Sequence, residues 1–154
     1  MRFIPFNICN FINKVLAIFL VILSITLMYH YLKFPYLGND DGYYLSILRD
    51  VNAGNLYFKD IAVVYNPLSI FTMGLSSFLF GVLKHEYALI TNFFIILMSS
   101  FVLFKINKQF LNRSNAFLFS ALFLSFTLYY DGGFLMLEPL TVLFQLISLL
   151  FFIR

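Results

Sequence analysis

The run VLAIFLVILSITLMYHYL, Val15–Leu32, contains no Asp, Glu, Lys or Arg. As a helix it rises about 27 Å, close to the hydrocarbon thickness of a bilayer, which takes about 20 residues to cross (range about 17–25). Arg2 and Lys14 precede it, and His30, Tyr31, Leu32, Lys33 and Phe34 close it. A cleaved signal peptide has a shorter apolar core and a small-residue cleavage site, so this segment reads as a retained signal anchor. The rest of the chain has the same character. Of its 154 residues, 62% are hydrophobic and 11% charged, with mean hydropathy +0.91; soluble domains are about 45–50% apolar and about 25% charged. The expected class is all-α, a single polytopic membrane domain over residues 1–154, with the lipid bilayer as its first partner. The net charge of +3 comes from bases scattered between apolar runs, a pattern unlike the basic stripe of a nucleic-acid binder. Cys9 is the lone cysteine, which excludes an internal disulfide framework and a CxxC metal site.

Four further apolar runs follow: Ile61–Leu83, Tyr87–Phe104, Asn115–Tyr130 and Phe134–Ile153. Lys and Arg collect at cytoplasmic ends. Arg2 with Lys14, then Lys105, Lys108 and Arg113, then Arg154 therefore predict an N-terminus inside and a basic hairpin inside at 105–113. That parity allows only one full crossing between Asp60 and Lys105. Tyr87–Phe104 is the more uniformly apolar candidate. Ile61–Leu83, broken by Asn66-Pro67 and diluted by Ser69, Thr72, Gly74, Ser76 and Ser77, reads as a juxtamembrane or re-entrant helix. About four spans result, with all seven acids outside. A rival topology has all five runs span, which moves the basic hairpin outside.

The polar stretch Lys33–Asp60 carries its own helix signal. Asn39 or Asp40 suits an N-cap, and Asp40 and Asp41 suit the positive end of the helix dipole. Tyr44, Ile47, Leu48 and Val51 make one apolar stripe, and Gly54 suits the residue just past the helix. An amphipathic surface helix over Asp41–Ala53 is expected.

Two acidic features are candidates for chemistry. Asp40 and Asp41 at a helix start can take a proton from an acceptor hydroxyl or bind a metal; equally, they can only cap a helix. Glu138 opens an otherwise apolar helix ahead of Pro139. An ionisable group at membrane depth is a functional signal, and a carboxylate at a helix start also stabilises the dipole. The tyrosines at the membrane edges read as an aromatic belt. A Gly-rich phosphate loop, a Ser/His/Asp set and a Cys/His zinc pattern are all absent from the sequence.

Together, the order of these features resembles the GT-C glycosyltransferases, in particular the protein O-mannosyltransferases and the bacterial lipid A aminoarabinose transferases. Those begin with a spanning helix, an outer loop with an acidic pair, a short helix, a small turn and a Y-x-D stretch. The matching residues are Asp40-Asp41-Gly42-Tyr43-Tyr44, then Ala53-Gly54-Asn55 and Tyr57-Phe58-Lys59-Asp60. Tyr65-Asn66-Pro67-Leu68 stands where the family has a His/Lys-Pro-Pro element, with one Pro and neither His nor Lys. Later come Phe80-Gly81, the basic hairpin Lys105–Arg113, and Leu137-Glu138-Pro139.

The resemblance implies a module that transfers a sugar from a polyprenyl-phosphate donor to an acceptor on the outer face of the inner (plasma) membrane. It implies Asp40 as general base, Asp41 and Glu138 in the same pocket, and Tyr44 and Asn66 at substrate-binding positions. A divalent metal is compatible with these carboxylates and not required by them. The family carries more spanning helices than this chain, so the resemblance also implies completion by a partner subunit or a further C-terminal part. The contrasting expectation is a small non-catalytic membrane protein or accessory subunit, in which the three acids only cap helices.

Overall fold

A computed structural model describes residues 6–33, 39–55, 79, 84–131 and 138–153; a few side chains at helix ends, those of Asp40, Asp41, Tyr44 and Glu138 among them, lie outside that description. The described residues form five helices: α1 (Phe6–Lys33), α2 (Asn39–Asn52), α3 (His85–Phe110), α4 (Arg113–Asp131) and α5 (Glu138–Ile153). The all-α expectation holds. Helices α1 and α3 are long and apolar enough to cross a membrane, and the apolar stretch Pro139–Ile153 of α5 is shorter. The juxtamembrane or re-entrant reading of Ile61–Leu83 falls outside the described residues apart from Leu79.

α1 and α4 pack through a seam of small residues. The hydrogen-bonded residues of the seam are Asn10, Asn13 and Ser24 on α1 and Ser114, Asn115 and Ser125 on α4. Small side chains let the two backbones approach closely: Ala17 is 0% exposed and Ser24 1%. The Ser24 and Ser125 hydroxyls lie 3.0 Å apart and both reach the Leu20 carbonyl, at 2.8 and 2.9 Å. Below them, Asn13 Nδ2 donates to Asn115 Oδ1 (2.7 Å) and Ser114 Oγ to the Asn10 carbonyl (3.0 Å). These bonds explain why α1 begins at Phe6, nine residues before the apolar run at Val15: its polar first turns are held against α4.

α3 and α4 form a tight antiparallel hairpin. The Leu111 N–H donates to the Asn107 carbonyl (2.8 Å) to end α3, and Asn112 Oδ1 accepts the Asn115 N–H (2.9 Å) to start α4, an N-cap bond. Ile96, Leu124, Leu128 and Phe93 make their shared core. Ser100 Oγ donates across to the Ser120 carbonyl (2.9 Å), and the Phe104 and Phe117 rings meet edge to face at 6.4 Å. α5 packs on α3.

The pairings fix helix directions. Asn13–Asn115, Ser24–Ser125 and Tyr31–Tyr129 ascend together, so α1 and α4 are parallel. Ser100–Ser120 and Phe104–Phe117 make α3 antiparallel to both. α1 and α3 flank α4 but scarcely touch each other, leaving a trough of about 930 Å³ along α4.

Helix α2 is built differently. It starts at Asn39, so Asn39 and Asp40 lie within its first turn instead of capping it. At its other end Gly54, at φ +94°, closes a Schellman motif: the Asn55 N–H donates to the Asp50 carbonyl (3.1 Å) and the Gly54 N–H to the Val51 carbonyl (3.0 Å). Ile47 and Leu48 are buried, Val51 half-buried, and Ser46, Arg49 and Asp50 exposed. The expected stripe is present; the side chains of Tyr44 and Asn52 lie outside the described residues.

Candidate functional site

The bundle has two ends, and the second carries Lys33 and Lys84 as well as Glu86. One holds the amino-terminal turns of α1 and the α3–α4 turn, and collects Lys14, Lys105, Lys108 and Arg113. At the opposite end α1 and α4 finish side by side, where Tyr31 Oη donates to the Tyr129 carbonyl (3.3 Å), and α3 begins with His85-Glu86.

Both acidic signals leave from that second end. Asp40 stands seven residues past Lys33, the last residue of α1 (40 − 33), and Glu138 seven past Asp131, the last of α4 (138 − 131). At 3.8 Å between consecutive Cα atoms, each is tethered within about 27 Å of the paired α1 and α4 ends. Asp40 and Asp41 sit in the first turn of α2, and Glu138 is the first residue of α5. Farther along α2, Ile47 and Leu48 are buried. An ionised carboxylate so placed can accept a proton from a hydroxyl; a pair can also hold a cation. Among the described residues, no group of three or more His, Cys, Asp and Glu is placed to hold a metal. Tyr44 belongs to the same helix as the acidic pair, and Asn66 lies outside the described residues.

The residues that sequence reasoning passed over lie at the other end. Lys14 and Arg113 both line the mouth of the trough between α1 and α3. No local signal in the sequence puts Lys14 and Arg113 at the same level; the Asn10–Ser114 and Asn13–Asn115 hydrogen bonds between α1 and α4 do so. No family model, curated protein or solved structure matches the chain.

Proposed function

We propose that the chain is embedded in the inner (plasma) membrane with its N-terminus cytoplasmic, and that it forms the N-terminal module of a GT-C-type transferase using a polyprenyl-phosphate sugar. Membrane embedding is supported by the inverted surface of the bundle. Phe11, Phe19, Ile25, Phe94, Phe101 and Phe126 are all more than half exposed, while among the described residues eight polar ones, seven of them Ser or Thr, are buried. Antiparallel α1 and α3 support the topology of about four spans. If every apolar run crossed, α1 and α3 would run the same way.

The observation that carries the functional reading is the tethering of the Asp40-Asp41 and Glu138 helix starts to one end of the bundle, opposite the basic turn. In the proposed reaction Asp40 takes the proton of an acceptor hydroxyl as its oxygen attacks the anomeric carbon. The bond from that carbon to the phosphate oxygen breaks, polyprenyl phosphate leaves with the electron pair, and the configuration inverts. Asp41 and Glu138 line the same pocket, and Tyr44 and Asn66 contact substrate. Further helices, from a partner subunit or a C-terminal part, complete the pocket. The test uses nanodiscs holding the chain together with the helices that complete it, and follows binding of a set of polyprenyl-phosphate monosaccharides and release of polyprenyl phosphate once an acceptor alcohol is added. Asp40→Asn should retain binding and lose on the order of 10²–10⁴-fold in release, the range of general-base contributions. Absence of binding for every donor would overturn the reading.

One observation favours the non-catalytic alternative: all three acids stand in first helical turns, where the helix dipole alone accounts for a carboxylate. In that case Asp40→Asn and Glu138→Gln alter helix stability and nothing else.

A further inference from the structure

The trough between α1 and α3 is chemically polarised. Its floor is α4, with buried Ser120, Ala121 and Leu124, and its walls are Ile18 and Val21 on one side and Leu97, Phe101 and Phe104 on the other. At the mouth stand Lys14 and Arg113, both exposed, beside Asn112 and Ser114. From Arg113 to Leu124 the floor rises about 16 Å along α4. The volume, about 930 Å³, falls within the roughly 300–1,000 Å³ of ligand pockets.

The polar groups at the mouth are not equivalent. The Ser114 hydroxyl is engaged by the Asn10 carbonyl and Asn112 Oδ1 by the Asn115 N–H, so both hold the helices together. Lys14 and Arg113 have no carboxylate within ion-pairing distance among the described residues. Lys105, on the same end, lies 5.2 Å from the centre of the Phe101 ring, and Lys108 adds a further cation. The carboxylates with described side chains, Asp50 and Glu86, belong to α2 and to the opposite end of α3. Among the described residues, this end therefore presents cations and no carboxylate, above an apolar trough.

We propose that the trough seats one anionic phospholipid of the bilayer, its phosphate between Lys14 and Arg113 and one acyl chain lying along α4. A free phosphate would answer the cations and leave the trough empty. A further protein helix would fill the trough but bury Lys14 and Arg113 unpaired, at a high desolvation cost. An anionic lipid satisfies both, and basic pockets between membrane helices on the cytoplasmic side favour such headgroups. The proposal rests on membrane embedding but not on the transferase reading.

The experiment is native mass spectrometry of the full chain in detergent, titrated with dioleoyl-phosphatidylglycerol, dioleoyl-phosphatidylcholine or inorganic phosphate. One phosphatidylglycerol should bind on the order of ten-fold or more tightly than phosphatidylcholine, and inorganic phosphate should not displace it. Lys14→Gln with Arg113→Gln should remove the preference, and Ile18→Glu on the exposed wall should also weaken it. The control pair Lys105→Gln with Lys108→Gln, equal in charge change but outside the trough lining, should keep it. Equal binding of the two lipids, equal loss in control and trough variants, displacement by phosphate, or a protein adduct on the trough would each overturn the proposal. Alkaline carbonate extraction separates the two levels: release of the chain from membranes defeats the membrane reading, whereas retention without lipid preference defeats only this inference.

Discussion

Helices α1 and α2 are built on opposite plans. α1 buries Ala17 and Ser24 and leaves Phe11 and Phe19 at 67% and 60% exposure. α2 buries Ile47 and Leu48, each 2% exposed, and turns Ser46, Arg49 and Asp50 outward. In water the first arrangement is unfavourable, because each fully exposed large side chain forgoes about 1.5–3 kcal/mol of burial; in lipid it costs nothing, and close approach of small polar residues becomes the cohesive contact. The second is the ordinary arrangement for an interface between an apolar support and water. Under the proposed membrane embedding the two helices answer to different solvents, although only six Cα steps separate Lys33 from Asn39.

Substitutions that respect one plan and violate the other should sort accordingly. The largest effect is expected for Ile47→Asp, which removes apolar burial and adds an unpaired buried charge. A cost of about 3–4 kcal/mol follows, seen as loss of hydrogen-exchange protection across α2 with α1 and α4 still protected. Ser24→Leu sharpens the contrast. A larger apolar residue would suit a soluble core with room, but here it overfills the α1–α4 seam, at about 1–3 kcal/mol, read from denaturation in micelles. Gly54→Ala tests α2 alone. A Cβ there meets no atom within 4 Å, so the cost of about 1–2 kcal/mol comes only from the left-handed backbone, measured as fraying of the last α2 turn. Ser125→Ala should cost least, on the order of 0.6 kcal/mol, the average for an interhelical hydrogen bond in a membrane protein.

Legibility in the sequence followed locality. The α2 stripe of Ile47, Leu48 and Val51, and Gly54 as its stop, are short-range signals, and both are present. The reach of α1 back to Phe6 was not legible, because Asn10 and Asn13 look like loop residues until Ser114 and Asn115, about a hundred positions on, supply their partners. The start of α2 at Asn39 was obscured by two good cap residues in a row. Asp40, Asp41 and Glu138 were legible as acids at helix starts. Their common tether depends on α1 and α4 being parallel, which no periodicity announces. The trough was invisible for the same reason, since it arises from two helices that fail to meet across a third.

The central claim is that α1, α3 and α4 lie in a bilayer, with the basic α3–α4 turn on one side and α2 on the other. Its most direct test is single-cysteine labelling in intact cells with the outer barrier opened, using a membrane-impermeant thiol reagent. The exposed Cys9 would be replaced by Ser, and Asn55→Cys compared with Asn112→Cys, both exposed positions. The account predicts labelling at 55 and protection at 112 until the membrane is permeabilised. Labelling at both positions in intact cells, or at 112 alone, would contradict it.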